Sequence, residues 1–381
     1  MDREKILKAN GIQNIEELNI TDIKNLAVKF SNDFTAKFPC HDISKEIIAN
    51  SISKAKMFKA DFDDNSYGKY LYENNEIYFN KDINIENPDS TIYHELIHYI
   101  QSNFSKNGKL LKMGFFSPKS LFKKEENLGL NEASVQYIAS YMKSNEYTYV
   151  KYYGLEFATI SEKYYPLETT LISQLLFFTG QYSLVNSSIL CYDIFKETVS
   201  NIISEDNLKQ ISLNLDKILT SQKYLSSKYS YLANTELEEN DKINLLNIIK
   251  EEKDKLRNLI ISTQKIIYEN SFNYHLNNIE NFNDILDMQT RLNFFEDYLI
   301  KAKDDFSFEQ FKDKVMIELK NKFELIEAYG NYSFAKKAEK DLSTLPQLYN
   351  FGFIKRLFNK IKLLTEISLR IRATNNLINN D

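Results

Sequence analysis

Thr91-Ile92-Tyr93-His94-Glu95-Leu96-Ile97-His98-Tyr99-Ile100-Gln101 is the stretch whose reading decides the fold. Asn87-Pro88-Asp89-Ser90 precedes it, a helix-start signal in which Asp89 or Ser90 can accept from the free N–H groups of the first turn. On the helix this predicts, His94 and His98 stand four residues apart on one face, about one turn from each other. Two imidazoles so placed can converge on a single tetrahedral ion. Glu95 is adjacent to the first but rotated by about 100°, so it can reach a water beside such an ion without binding it. The chain has four histidines, at 41, 94, 98 and 275, so two falling at this spacing around a Glu is roughly a one-in-several-hundred coincidence. Tyr93, Leu96, Ile97 and Ile100 give the helix enough apolar surface to be buried.

Immediately upstream, Ser66 to Asn80 alternates in strand fashion, with Asn74-Asn75 between two Tyr-rich runs, and reads as a hairpin. From Met1 to about Lys59 the pattern is mainly helical: Ile6, Ile12, Ile15, Leu18 and Ile23, then Leu26, Phe30 and Phe34, then Ile43, Ile47, Ile48 and Ile52. Downstream, Gly108, Gly114 and Pro118 break a loop carrying Lys106, Lys109, Lys112, Lys119, Lys123 and Lys124. Beyond Leu155 the chain reads almost entirely as helix. Leu245, Ile249, Leu256, Leu259 and Ile266 form one seam, and Phe308, Phe311, Val315, Leu319, Phe323 and Ile326 another. A basic helix near Phe353 to Arg372 ends the pattern. Three segments follow: 1–65 helical, 66–199 around the histidine helix, and 200–381 helical.

A catalytic metal site needs a third protein ligand. No other His is near in sequence, so the candidates are carboxylates downstream. Leu128-Gly129-Leu130-Asn131-Glu132-Ala133-Ser134-Val135-Gln136-Tyr137 supplies Glu132 at a predicted helix start running from Asn131 to about Lys143. Glu125, Glu126, Glu146 and Glu156 compete, but Glu132 alone joins a helix start, an apolar helix behind it and an Asn-Glu-Ala context. Here the sequence resembles the gluzincins, the thermolysin-like branch of the zincin metallopeptidases, over roughly Ser66 to Ser144. Gly129, Asn131, Glu132 and Ala133 fit the gluzincin third-ligand segment apart from one fewer residue between Gly and Asn. The resemblance implies zinc held by His94, His98 and Glu132, and peptide hydrolysis by a zinc-bound water with Glu95 as general base. It also implies an extended peptide added to the sheet edge beside the metal helix, for which Tyr78 to Asn80 is the expected strand, and Ala133 as the small residue that lets the two helices approach.

The pattern also departs from that family. Four residues after its Glu, the family places an Asp that orients the first His; here stands Gln136, so orientation of His94 is expected from a backbone carbonyl or another acid. Glu132 lies 34 residues beyond His98, a longer interval than in thermolysin. His-Glu-Leu-Ile-His also equals the zinc segment of the clostridial neurotoxin light chains, over those five residues. An oxyanion stabiliser is needed too, and Tyr137, Tyr141, Tyr165 and His275 all qualify. Cys40-His41 could place a thiolate on the metal, but an ordinary buried Cys beside a surface His is the better reading.

Composition fits a globular protein of two or three domains. The 381 residues are 43% hydrophobic, and a net charge of −5 gives no overall pull toward nucleic acid. Two cysteines are too few for a disulfide framework. The N-terminus has no apolar signal region, which fits cytoplasmic synthesis, with export by a route without a signal still compatible. Thr169 to Tyr192 is uncharged but interrupted by Gln174, Gln181, Asn186 and Gly180, and is expected to form two buried helix segments rather than a membrane span. The expected fold is α+β and mostly helical: a zincin-like catalytic domain with a small sheet and the His-Glu helix, plus a large all-α C-terminal region. The expected partner is a peptide or protein substrate, and the expected cofactor is Zn2+. The rival reading is a zincin-fold binding or regulatory protein whose helical region contacts a partner.

Overall fold

The computed structural model describes residues 2–39, 42–64, 66–119 and 125–329. Cys40, His41, Lys123, Lys124 and the basic segment near Phe353 to Arg372 lie outside them. The chain divides into two units, one of residues 1–271 with 295–305, the other of residues 272–294 with 306–381. The architecture is α+β and mostly helical.

In the first unit, α1 (Arg3–Ala9), β1 (Ile12–Glu17), α2 (Ile20–Lys37) and α3 (Lys45–Ile52) lead into β2 (Lys56–Phe62), β3 (Gly68–Leu71) and β4 (Glu76–Asn80). These four strands form one sheet in the order β1-β2-β4-β3, with β2 and β4 parallel and both outer pairs antiparallel. Ile12 and Ile15, read as loosely spaced helix positions, are on a strand instead. Ile12 pairs with Phe62 and packs with Leu7, Phe58 and Tyr78, so tertiary pairing overrides a weak local pattern. The hairpin predicted from Ser66 to Asn80 forms β3 and β4, its turn carrying Asn75 at φ 54°, a conformation asparagine tolerates. Tyr78 to Asn80 is not an edge, however. β4 lies between β2 and β3, and β3 is the sheet's outer strand on that side.

The histidine helix is α4 (Ser90–Ile100), with Asp89 accepting from the N–H groups of Thr91 and Ile92. A short hairpin, β5 (Ser102–Phe104) and β6 (Leu110–Met113), separates it from α5 (Leu128–Lys143), which begins a turn earlier than the sequence pattern suggests. No α5 residue caps that extra turn. The Asp216 carboxylate takes the Gly129 N–H at 2.6 Å from across the core. Asp216 belongs to α9 (Glu205–Asn234), and a side chain at Gly129 would come within 2.4 Å of the Leu215 backbone. The close approach at Gly129 is therefore to α9, separate from the one expected at Ala133 between α4 and α5.

After α5 the chain makes a hairpin, β7 (Thr148–Tyr152) and β8 (Leu155–Thr159), turning on Tyr153 and Gly154 at φ 52° and 80°; a near-continuous helix from Leu155 is therefore interrupted at its start. Then come α6 (Pro166–Thr179), α7 (Tyr182–Leu190), α8 (Ile194–Ile203), α9 and α10 (Glu239–Asn277). The uncharged stretch forms α6 and α7 as expected, with Gly180 between them at φ 69°. Among the described residues no helix is long and apolar enough to cross a membrane. One core joins α2, the inner sheet face, α4, α5, α6 and α9 through Phe30, Phe34, Ile77, Phe79, Tyr93, Ile97, Ile138, Leu171 and Leu215. β9 (Lys301–Ala302) adds to β8.

In the second unit, α11 (Phe282–Phe295) supplies residues 282–294 and is followed there by α12 (Ser307–Tyr329). The stripe predicted on α12 is buried at Phe308, Phe311, Val315, Leu319 and Ile326, while Phe323 is exposed.

Candidate metal centre

Two buried helices converge on the site. α4 contributes His94, Glu95 and His98, each less than a tenth exposed, and α5 contributes Glu132. The His94 and His98 Nε2 atoms are 2.9 Å apart, and Glu132 Oε2 lies 3.2 Å from the first and 3.5 Å from the second. Tetrahedral ligands each about 2.0–2.1 Å from one ion lie roughly 3.3 Å from each other, so these three atoms have the separations one ion requires. They are the group of His, Cys, Asp or Glu side chains placed to hold a metal among the described residues. Glu156 pairs instead with Lys151, and Glu126 bridges to Ser117 through its backbone. Two imidazoles and one carboxylate make a donor set suited to zinc.

Glu132 carries the charge of the set. Burial pushes its carboxyl upward, but the facing His98 and His94 outweigh this and hold it well below the usual carboxylate range. Glu95 is tuned the other way, to about 7, chiefly by burial and secondarily by the Glu132 charge. Its Oε2 accepts the Tyr70 backbone N–H at 2.7 Å. In the β3–β4 register Tyr67, Lys69 and Leu71 face β4, as the Asn80 N–H to Tyr67 carbonyl bond indicates. Gly68 and Tyr70 therefore turn their backbone polar groups to the open edge. Gly68 also gives Glu95 its room, since a Cβ there would sit 2.9 Å from Glu95 Cγ.

Gln136 stands one helical turn beyond Glu132 on the same face of α5. Its Oε1 is 2.9 Å from His94 Nδ1, while its Nε2 donates to Ser140 Oγ and Ser161 Oγ. Ser161 Oγ gives its own proton to the Tyr164 carbonyl, so it must accept from Gln136. That fixes the amide oxygen toward His94, makes Nδ1 the protonated nitrogen and leaves Nε2 with a lone pair. The orientation expected from a backbone carbonyl or another acid thus comes from Gln136 itself.

Sequence reading passed over Gln101. It follows His98 by three residues on the same helical face, is 1% exposed and places its side-chain amide 2.9 Å from His98 Nδ1. The available signal was the His-x-x-Gln spacing. Of the four oxyanion candidates, Tyr165 is the one brought to the histidines, its ring stacked on His94 at 5.8 Å between centroids. The charge of Glu132, then burial, then the charge of Glu95 raise its phenol well above the usual tyrosine value, so it stays a proton donor. Tyr137 and Tyr141 stack on each other instead, at 5.9 Å.

No family model matches the chain, and no curated protein or solved structure matches it.

Proposed function

We propose that the protein is a zinc-dependent metallopeptidase of gluzincin type, hydrolysing peptide bonds, with His94, His98 and Glu132 as metal ligands and Glu95 as general base. The observation that carries this reading is the convergence of both Nε2 atoms and Glu132 Oε2 within 2.9–3.5 Å of one another beside a buried, backbone-held Glu95. Zinc, when bound, would polarise the scissile carbonyl and acidify a water. The chain's own residues do the rest. Glu95 takes the proton of the attacking water and returns it to the leaving amine. Tyr165 donates its phenolic proton in a hydrogen bond to the developing oxyanion. The open edge of β3 offers the Gly68 N–H and carbonyl and the Tyr70 carbonyl to an extended peptide.

The test is Glu95→Gln. Cleavage of a broad peptide library should be lost while zinc stays at one per chain, and undiminished cleavage would remove Glu95 from the mechanism.

A second reading is a binding or regulatory protein that retains the metal site. It is favoured by large apolar side chains exposed in the second unit, Leu286 and Ile317 at 60% and 64%. Stoichiometric zinc with no cleavage of that library by intact protein would select it.

A further inference from the structure

Both metal-facing imidazoles meet side-chain amides at Nδ1. Gln136, 2% exposed, faces His94 with its Oε1, and Gln101, 1% exposed, faces His98 with its Nε2, each at 2.9 Å. For His98 Nε2 to join His94 Nε2 and Glu132 as a lone-pair donor, its Nδ1 must carry the proton and Gln101 must present its oxygen. In the structure Gln101 Oε1 accepts instead from Ser188 Oγ, at 3.1 Å. A hydroxyl both donates and accepts, so a half-turn of the amide keeps that bond. Gly114, at φ 55°, makes room for the amide, since a Cβ there would lie 2.4 Å from the Gln101 side-chain oxygen.

We propose that Gln101 and Gln136 are paired positioning residues, holding both imidazoles for the metal through neutral amide oxygens rather than carboxylates. A carboxylate at Nδ1 makes the imidazole a stronger ligand and adds negative charge beside the metal. An amide supplies the same geometry without that charge. The site is thereby preorganised while more of the cation's charge remains to act on a carbonyl, and the metal is held less tightly than carboxylate partners would hold it. The inference rests on the metal site proposed above and concerns its electrostatics, which the ligand set alone does not determine.

The experiment compares full-length wild type with Gln136→Glu, Gln136→Met, Gln101→Glu and Gln101→Met. Zinc affinity is read by competition with a chromophoric chelator, and ligand geometry by the visible spectrum after cobalt(II) substitution. Circular dichroism first establishes which variants fold. The Met variants, which keep size but lose the acceptor, should bind zinc about 10–100-fold more weakly than wild type. The Glu variants should bind at least as tightly as wild type and keep its cobalt spectrum. Glu variants as weak as the Met variants would overturn the proposal, because the amide N–H groups would then be what matters. Met variants with wild-type affinity would overturn it too. A wild-type chain that binds no zinc would instead refute the metal site itself, and is separable from both outcomes. Should the Gln136 variants fail to fold, the Gln101 pair, which does not contact Ser140 or Ser161, carries the same comparison.

Discussion

Tyr70 holds Glu95 by main chain alone: its backbone N–H donates to the buried carboxylate at 2.7 Å from the outer strand β3. The strand and Glu95 are therefore one device, in which the edge that would receive a peptide also fixes the group that would activate water. Gly68 completes it, because a methyl group there would lie 2.9 Å from Glu95 Cγ. Gly68→Ala should lower kcat by about 10–100-fold through displacement of the base. Zinc content and melting temperature should stay near wild type. Steady-state kinetics beside metal analysis check this; unchanged kcat would mean that Glu95 moves aside at no cost.

Tyr165→Phe removes one hydroxyl and keeps the ring that stacks on His94. Losing a single oxyanion donor costs about 100–1,000-fold in kcat. That loss should appear with KM little changed, since the proposed role of the phenol is to meet charge that develops after substrate binds. A change confined to KM would make Tyr165 a substrate contact only.

What was legible in the sequence and what was not divide on physical grounds. His94, Glu95 and His98 could be picked out because helical spacing is rigid: i and i+4 share a face whatever surrounds them. Glu132 was legible through its helix start and Asn-Glu-Ala context, and the structure brings these four together. The β3–β4 hairpin was legible through local turn chemistry at Asn74-Asn75. Which of its strands is outermost was not, because that depends on β2, twenty residues upstream, inserting beside β4 in parallel. Gln136 was read as a missing acid because family pattern ranks charge above shape. The amide oxygen reaches the same nitrogen, and the two serines that orient it come from separate parts of the chain. The capping of α5 by Asp216 was invisible for a similar reason: the helix carries no cap of its own.

Asp216 and Gly129 make that long-range capping testable. Asp216→Asn keeps an acceptor but removes the negative charge at the α5 N-terminus, and should cost about 0.5–1 kcal/mol. Gly129→Ala forces a Cβ to 2.4 Å from the Leu215 backbone, where neither helix can yield locally, and should cost about 1–3 kcal/mol. Urea unfolding of the two variants should therefore rank Gly129→Ala as the more damaging, with zinc affinity reduced as well because α5 carries Glu132. The reverse order would show that the two helices separate easily and that capping, not approach, holds them.

Glu168 is a buried acid for which the proposed chemistry has no use. It sits in the first turn of α6, 0% exposed, with Oε1 accepting from Gln222 and Oε2 making no hydrogen bond. Burial above all, with the Glu132 charge adding to it, pushes its carboxyl up to about 7 from the ordinary value of about 4.5. The folded protein thus holds this proton more tightly than the unfolded chain does. Below the unfolded value both states are protonated and the group costs nothing. As pH rises from about 4.5 toward 7 the unfolded chain ionises first, so stability falls across that window and levels off above it. The full loss is on the order of 3 kcal/mol at 1.36 kcal/mol per unit. Glu168→Gln keeps the shape and cannot ionise. Its stability relative to wild type should be lower or equal at pH 4 and should rise through the same window, making it the more stable chain at pH 8. Denaturation curves at pH 4, 6 and 8 measure this, and a difference between the two chains that does not vary with pH would mean that Glu168 ionises in the fold at its ordinary value.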